Sequence, residues 1–192
     1  MPMIILIVVL VLLLVYAVAL YNGLVSLRRQ TQNALSQIDV QLKRRYDLIP
    51  NLVETVRGYA AQERTVLEEV TKARASVAGI KATPELVNDP EAFRKFQAAQ
   101  QELSGALARL LVTVERYPDL KSNQNFLTLQ SQLEGTENRI AVERMRYSEA
   151  VRDYNTRLRL FPGSLVASLR GFKEKAYFEA APGSQEAPKV KF

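Results

Sequence analysis

The sequence predicts an all-α protein, with an N-terminal transmembrane helix continuing into an antiparallel up-and-down four-helix bundle. Three observations carry this expectation. An apolar run opens the chain, and no charged side chain precedes Arg28. Beyond it, apolar residues recur at steps of three and four, the period of a helix with one buried face. The chain holds only eight glycines and eight prolines in 192 residues and is rich in Ala, Leu, Glu, Gln, Arg and Lys, a composition that favours helix over strand or disorder. The reading divides it into an anchor over 1–22, a bundle over 23–162, a short helical or membrane-surface segment over 163–180 and a flexible tail over 181–192.

The anchor comes first. Met3 to Tyr21 is almost wholly apolar, and a helix of ~20 residues rises about 30 Å, the thickness of a bilayer's hydrocarbon core. Tyr16 and Tyr21 sit toward one end, where amphipathic rings prefer the interface. A cleaved signal peptide is the rival reading, because Ala17-Val18-Ala19 resembles a small-x-small cleavage site. The start has no Lys or Arg, and the apolar run passes into a helical pattern without a break, which favours a retained anchor. Arg28 and Arg29, then Lys43, Arg44 and Arg45, all follow the span. Basic residues stay cytoplasmic. The expected placement is therefore a single pass through a bacterial inner membrane, with the N-terminus outside and the body cytoplasmic.

Four apolar stripes follow. Leu24, Leu27, Ala34, Leu35, Ile38 and Leu42 make the first; Leu52, Val53, Val56, Tyr59, Val66, Leu67, Val70, Ala73 and Val77 continue after Pro50. "GIKATPELVNDPEAF" breaks the pattern, and Asp89-Pro90 suits an N-cap followed by a first helical position. Phe93, Phe96, Leu103, Leu107, Leu110, Leu111 and Val114 make the third stripe, which ends at Pro118. The last is the most regular: Phe126, Leu129, Leu133, Glu137, Ile140, Arg144, Tyr147, Val151, Tyr154, Leu158 and Phe161 step alternately by three and four, as in a heptad. "FPGS" stops it.

Pro50 poses the main choice. Inside a helix a proline costs about 3 kcal/mol, and in a first turn almost nothing. Asp47 can cap a helix with Pro50 in that first turn. A straight helix from Leu24 to Ile80 would be about 85 Å long, whereas a third helix from Pro90 to Tyr117 reaches only about 42 Å. Half the stripe would then lack a partner. A hairpin near Tyr46–Asp47 instead yields four helices of similar length, and it is the preferred reading. A kinked rod stands only if a second molecule covers the exposed stripe.

The hairpin makes successive helices leave and return, so Phe161 lands near the bilayer. "SLVASLRGFKEKAYFEA" follows it, mixing Leu165, Leu169, Phe172, Tyr177 and Phe178 with Arg170, Lys173 and Lys175. Such a segment can lie on an anionic membrane surface or cap the end of the bundle. On the membrane reading, Arg28, Arg29, Phe172, Lys173, Tyr177 and Phe178 are the expected surface contacts.

The chemistry available is narrow. The sequence has no Cys, His or Trp. This excludes a Ser-His-Asp triad, a thiolate nucleophile and a His- or Cys-ligated zinc site. No catalytic residue, metal or cofactor is expected. Glu137 and Arg144 break the last heptad at positions that call for apolar side chains. They lie seven apart, so each needs a partner from another helix. Candidates are Asp39, Arg44 and Arg45 on the first helix, Glu54 on the second, and Arg139 beside Glu137. The expected network is Asp39, Arg44, Glu54, Glu137, Arg139 and Arg144, read as a structural ion cluster that fixes helix register. A proton or ligand site is the alternative. "KRR" at 43–45 is too short to imply nucleic-acid binding without an accompanying motif, and none is present.

Several ordered blocks resemble the LemA family: "YNGLVSLR" after the span, "QIDVQLKRRYDLIPNLVETVRGYA", "LEEVTKARA", "YPDLKSNQNFLTLQSQLEGTENRIAVERMRY" and "YNTRLRLFP". The likeness runs from about Tyr21 to Phe178. Gln62 stands where the family would lead one to expect His before Glu63, and Ser148 where it would lead one to expect Asn after Tyr147. The resemblance implies a bacterial membrane-anchored helical bundle without an established catalytic activity, and hints at a role in membrane organisation.

Three functions compete. The first is a non-enzymatic scaffold that self-assembles at the membrane, with the lipid bilayer and further copies of the chain as partners. The second is an adaptor that holds another membrane protein, such as a protease or transporter. The third, a carboxylate-based enzyme or metal bundle, requires Glu137 and Arg144 in a water-accessible pocket.

Overall fold

The computed structural model describes residues 1–178, and every regular element in them is helical. The tail expected over 181–192 lies outside the described residues. The elements are α1 (Pro2–Tyr59), α2 (Arg64–Val77), a 3-10 turn (Leu86–Asn88), α3 (Pro90–Val114), α4 (Pro118–Lys121), α5 (Gln124–Arg159) and α6 (Gly163–Arg170).

The hairpin expected near Tyr46–Asp47 is not formed. α1 runs unbroken through Pro50 to Tyr59, and the chain first reverses at residues 60–63. Three local facts explain why. Pro50 lies on the exposed side of α1, where its ring meets solvent. The carbonyl that a residue-50 amide would have bonded, that of Tyr46, accepts from Arg74 Nε of α2 at 3.2 Å. Asp47 pairs with Lys43 one turn back, at 2.8 Å, and caps nothing.

The long stripe on α1 has its partner in α5. α5 has 36 residues, about 54 Å, the same length as α1 from Leu24 to Tyr59. The two run antiparallel: Leu24 packs with Tyr154 and Leu158, and at the far end Asn123 Nδ2 donates to Tyr59 Oη at 2.8 Å. α2 and α3 form a shorter antiparallel pair, tied by Arg109–Glu69 at 2.9 Å and Arg116–Glu63 at 3.0 Å. The four helices of similar length expected from the sequence are thus one long pair and one short pair.

Two connecting segments, the first ending in the 3-10 turn, cover what the short pair leaves open. Residues 80–88 and 172–178 lie over the middle of α1 and α5, joined where Ala176 N donates to the Val87 carbonyl at 3.2 Å. The core therefore falls into three zones. The distal zone joins α1, α2, α3 and α5 around Val56, Val70, Leu110 and Phe126. The middle zone is built on Leu35, Ile38, Phe93, Phe96 and Tyr147. The zone beside the apolar end holds Leu24, Tyr154, Leu158 and Ala167. α3 starts as its sequence predicts, with Asp89 Oδ1 accepting from the amides of Glu91 and Ala92 at 2.9 and 3.1 Å. Asn123 caps α5 in the same way.

α1 opens with the stretch apolar enough to cross a membrane, with a mean hydropathy of 3.4 over its most apolar window. Its side chains from Met3 to Val18 are exposed and make no core. The absence of any break between this stretch and the body is a mechanical fact. The rod that would lie in lipid is the rod on which the body is built.

Candidate functional site

The most heavily built polar centre lies where α1, α3 and α5 meet. Arg45 is 1% exposed. Its Nη1 donates to Ser104 Oγ and to Glu137 Oε1, both at 2.8 Å, and its Nη2 donates to Gln100 Oε1. A buried guanidinium is tolerated only when charge and donors are both matched. Here one carboxylate and two neutral acceptors meet that need, from helices distant in sequence. Arg144 lies one heptad, about two helical turns, beyond Glu137 on α5. Its guanidinium sits over the Phe178 ring, 5.1 Å from the centroid. Burial pushes its pKa down, the charge of Arg45 adds to that, and Glu137 opposes both. Among the described residues, Arg45 Nε, Arg144 Nε and Gln41 Oε1 are buried without a protein hydrogen-bond partner.

This geometry brings together only some of the residues expected to form the network. Glu137 and Arg144 belong to it. Arg45, named among the possible partners, takes the place given to its neighbour Arg44, which is exposed. Glu54 is exposed and pairs with Arg57 at 2.7 Å. Arg139 is exposed as well. Asp39 serves a different end, with Oδ1 accepting from the Ala82 amide at 3.2 Å to hold the first connecting segment. Gln100 and Ser104 were missed. The signal was present, since they fall at helical spacing between the apolar Phe96, Leu103 and Leu107.

Chemically, the centre offers two guanidinium groups and a single carboxylate. Arginine does not give up its proton in this pH range, so the cluster is suited to fixing register and charge rather than to moving protons. Among the described residues no group of three Asp or Glu side chains is placed to hold a metal ion. Gln62, at the position where a family histidine was expected, is exposed in the distal turn. Beside it Glu63 accepts from Tyr117 Oη at 2.7 Å.

A second centre is the clamp that α5 places on residues 172–178. Asn155 Nδ2 donates to the Lys175 carbonyl at 2.9 Å, and the Lys175 amide donates back to Asn155 Oδ1 at 3.0 Å. Tyr154 and Tyr147 donate to the carbonyls of Lys173 and Ala176, each at 3.0 Å. Burial lowers the Lys175 pKa, with Arg28 adding to the effect and Glu85 opposing it. The same clamp relocates two expected membrane contacts. The segment carries the chain from Phe172, which meets Tyr21, to Phe178, which packs edge-on against Phe93 and Tyr147 in the middle zone. Phe178 and its exposed neighbour Tyr177 are therefore far from the apolar end. Arg28, Arg29 and Lys173 are exposed beside it, and Phe172 is half-buried against α1.

A family model, that of the LemA family, matches residues 34–192 and so takes in the whole helical body except the first turns after the apolar stretch. The chain belongs to the LemA family. The magnetosome protein MamQ 2 of Paramagnetospirillum magneticum is 28% identical, over 84% of this LemA chain and 65% of its own length. MamQ of Magnetospirillum gryphiswaldense gives the same identity and coverage. Protein LemA of Metamycoplasma hominis is 24% identical over 83% of this chain and 69% of its own. The chain thus spans slightly under two thirds of the length of the magnetosome relatives it matches. The start of α1 gives this LemA protein a helix long and apolar enough to cross a membrane.

Proposed function

We propose that the protein is a membrane-anchored, non-enzymatic scaffold whose antiparallel up-and-down helical bundle self-assembles at the cytoplasmic face of a bacterial inner membrane. The observation that carries this reading is the continuity of α1. A single helix of 58 residues joins the apolar segment to the body with no linker. The body cannot swivel freely on its anchor, so each copy would present the same faces at the same height above the bilayer. Anchoring also confines copies to two dimensions, which raises their effective concentration and makes weak lateral contacts count. Exposed apolar side chains on the flanks, such as Val40, Val112, Val142 and Met145, offer such contacts. The lack of His and Cys in the sequence supports a role without catalysis. The basic residues from Arg28 onward support an outside N-terminus and a cytoplasmic body. Relatives named as magnetosome proteins are in keeping with a role in organising membrane.

An adaptor for another membrane protein is the second reading. It is favoured by a groove of about 300 Å³ between α1, α3 and the start of the first connecting segment, lined by Leu42, Tyr46, Val77, Ile80 and Leu103 with Lys43 and Asp39 at its edge. Crosslinking in native membranes separates the two. The scaffold predicts ladders of this chain alone. An adaptor predicts one stoichiometric heteromeric product, and a strict monomer at every concentration in mild detergent and in membranes sinks the scaffold.

A further inference from the structure

The end of the body nearest the apolar segment carries large hydrophobic side chains that the fold does not cover. Leu160 is 55% exposed, Phe161 79%, Leu165 56% and Leu169 86%. Leu160 and Phe161 form the corner between α5 and α6. Leu165 and Leu169 stand one turn apart on the outer face of α6, while Ala167 is buried and Val166 packs inward. α6 carries no acidic residue, and its single charge, Arg170, is in its last turn.

The position of α6 says what should cover that face. The helix packs on α1 around Leu24, and its Val166, Leu169 and Arg170 share an open groove with Leu14, Ala17, Val18 and Tyr21 of α1. Arg170 reaches back over the Tyr21 ring at 5.2 Å, and Phe172 meets the same ring edge-on at 5.9 Å. These groove residues of α1 belong to the apolar run from Met3 to Tyr21, which rises about 27 Å and needs most of that length to fill a hydrocarbon core of about 30 Å. A helix that shares a groove with Leu14 and Ala17 therefore lies level with the acyl chains. Charge agrees with this placement. Arg28, Arg29, Arg157 and Lys173 are exposed around the level just above, where lipid phosphates would sit.

We propose that α6 and the Leu160–Phe161 corner form a second membrane contact, embedded in the body-side leaflet with Leu165 and Leu169 among the acyl chains. This inference rests on the reading of α1 as a membrane-spanning helix. The occupant of the face is lipid rather than a second copy. The exposed face of α6 is continuous with the bare sides of α1 from Leu14 toward the N-terminus, and one bilayer covers both.

The sequence has no tryptophan, so a single introduced indole reports on one place. Full-length variants Leu169→Trp, Leu10→Trp and Val112→Trp would be reconstituted in vesicles of phosphatidylethanolamine and phosphatidylglycerol, with and without brominated acyl chains. Brominated lipid is expected to remove most of the emission at positions 10 and 169 and to leave position 112, far out on α3, unchanged. Quenching at 10 but not at 169 overturns the proposal and leaves the anchor standing, whether or not the emission at 169 is blue-shifted; a blue shift alone would mean protein covers the face. No quenching at 10 removes the anchor and this inference with it.

Discussion

Arg74 supplies the hydrogen bond that Pro50 cannot give to Tyr46. Its Nε lies 3.2 Å from the Tyr46 carbonyl oxygen and its guanidinium carbon 3.7 Å from the centroid of the Tyr46 ring. A helical residue at position 50 would normally donate to that carbonyl, four residues back. The proline removes the donor, and a side chain from α2 restores it. The helix thus stays unbroken at the point where its own sequence argues for a stop.

This coupling is measurable. Arg74→Ala should cost about 2 kcal/mol, the sum of a charge-assisted hydrogen bond and a cation–π contact. Pro50→Ala restores a backbone donor at an exposed position and should stabilise, by up to about 3 kcal/mol. In the Pro50→Ala background the cost of Arg74→Ala should fall by about 1 kcal/mol. Urea unfolding of the four proteins in one detergent, followed by circular dichroism, gives the cycle. Equal costs in both backgrounds would mean Arg74 does not stand in for the missing amide.

The polar centre predicts an order of effects. Arg45→Ala leaves Glu137, Gln100 and Ser104 without their shared donor and should destabilise by about 3–5 kcal/mol. Glu137→Gln keeps a hydrogen-bond acceptor but leaves a guanidinium that is 1% exposed without its carboxylate, so it should cost about 2–3 kcal/mol, less than losing all three contacts. Thermal melts of both variants check this. An Arg45→Ala protein as stable as the parent would show that the cluster contributes nothing to the junction of α1, α3 and α5.

Tyr147 should govern part of the alkaline stability. Burial raises its pKa well above the usual phenol value, and Tyr177 nearby adds to the rise. The folded chain holds this proton more tightly than the unfolded chain does, whose tyrosines ionise near 10. The contribution is complete below pH ~10 and is lost as pH climbs from there toward the raised folded value. Tyr147→Phe forfeits the hydrogen bond to Ala176, so it should lower stability at pH 8 by about 1 kcal/mol while flattening the loss above pH ~10. Parallel slopes above pH ~10 in parent and variant would contradict the assignment. Tyr154, also raised by burial, keeps part of the alkaline slope in the variant.

Gly163 sets the docking of α6. A Cβ there would lie 2.5 Å from the Arg157 carbonyl oxygen, a backbone atom that cannot simply swing aside. Gly163→Ala should push α6 off α1 while sparing the distal core. Hydrogen exchange at residues 163–170 should rise markedly, with the global unfolding midpoint moving by about 2–4 °C at most. Unchanged exchange in α6 would show that the turn absorbs the methyl group.

Much of the architecture was legible because it is local. The stripe from Phe126 through Leu133, Ile140 and Tyr147 to Leu158 is read from spacing alone, and α5 forms over it. Asp89 before Pro90 announces the start of α3, and the break between Gly79 and Asp89 is where the helices stop. The pair Glu137 and Arg144 stands out in the heptad, and the structure pairs Glu137 with Arg45 while Arg144 lies over the Phe178 ring. The choice of partner was not legible, because Arg44 and Arg45 are chemically identical in sequence and differ only in which side of α1 they occupy once α3 and α5 are in place. Phe172, Tyr177 and Phe178 show the same ambiguity. Aromatic residues mixed with lysines suit an interface or a core equally well, and the hydrogen bonds from Asn155, Tyr154 and Tyr147 decide in favour of the body for Phe178.

The sequence by itself determined the apolar run from Met3 to Tyr21, the all-helical content and the family, because hydropathy, period and local caps are properties of neighbouring residues. Where the first helix ends, which arginine is buried, and which apolar side chains are left bare beside the anchor were decided only by the tertiary structure. Each of these depends on groups far apart in the chain: Arg74 reaching Tyr46, the full length of α5 lying along α1, and α6 folding back beside Tyr21 and Leu24. A proline's cost and a charge's burial are not fixed until such distant partners arrive.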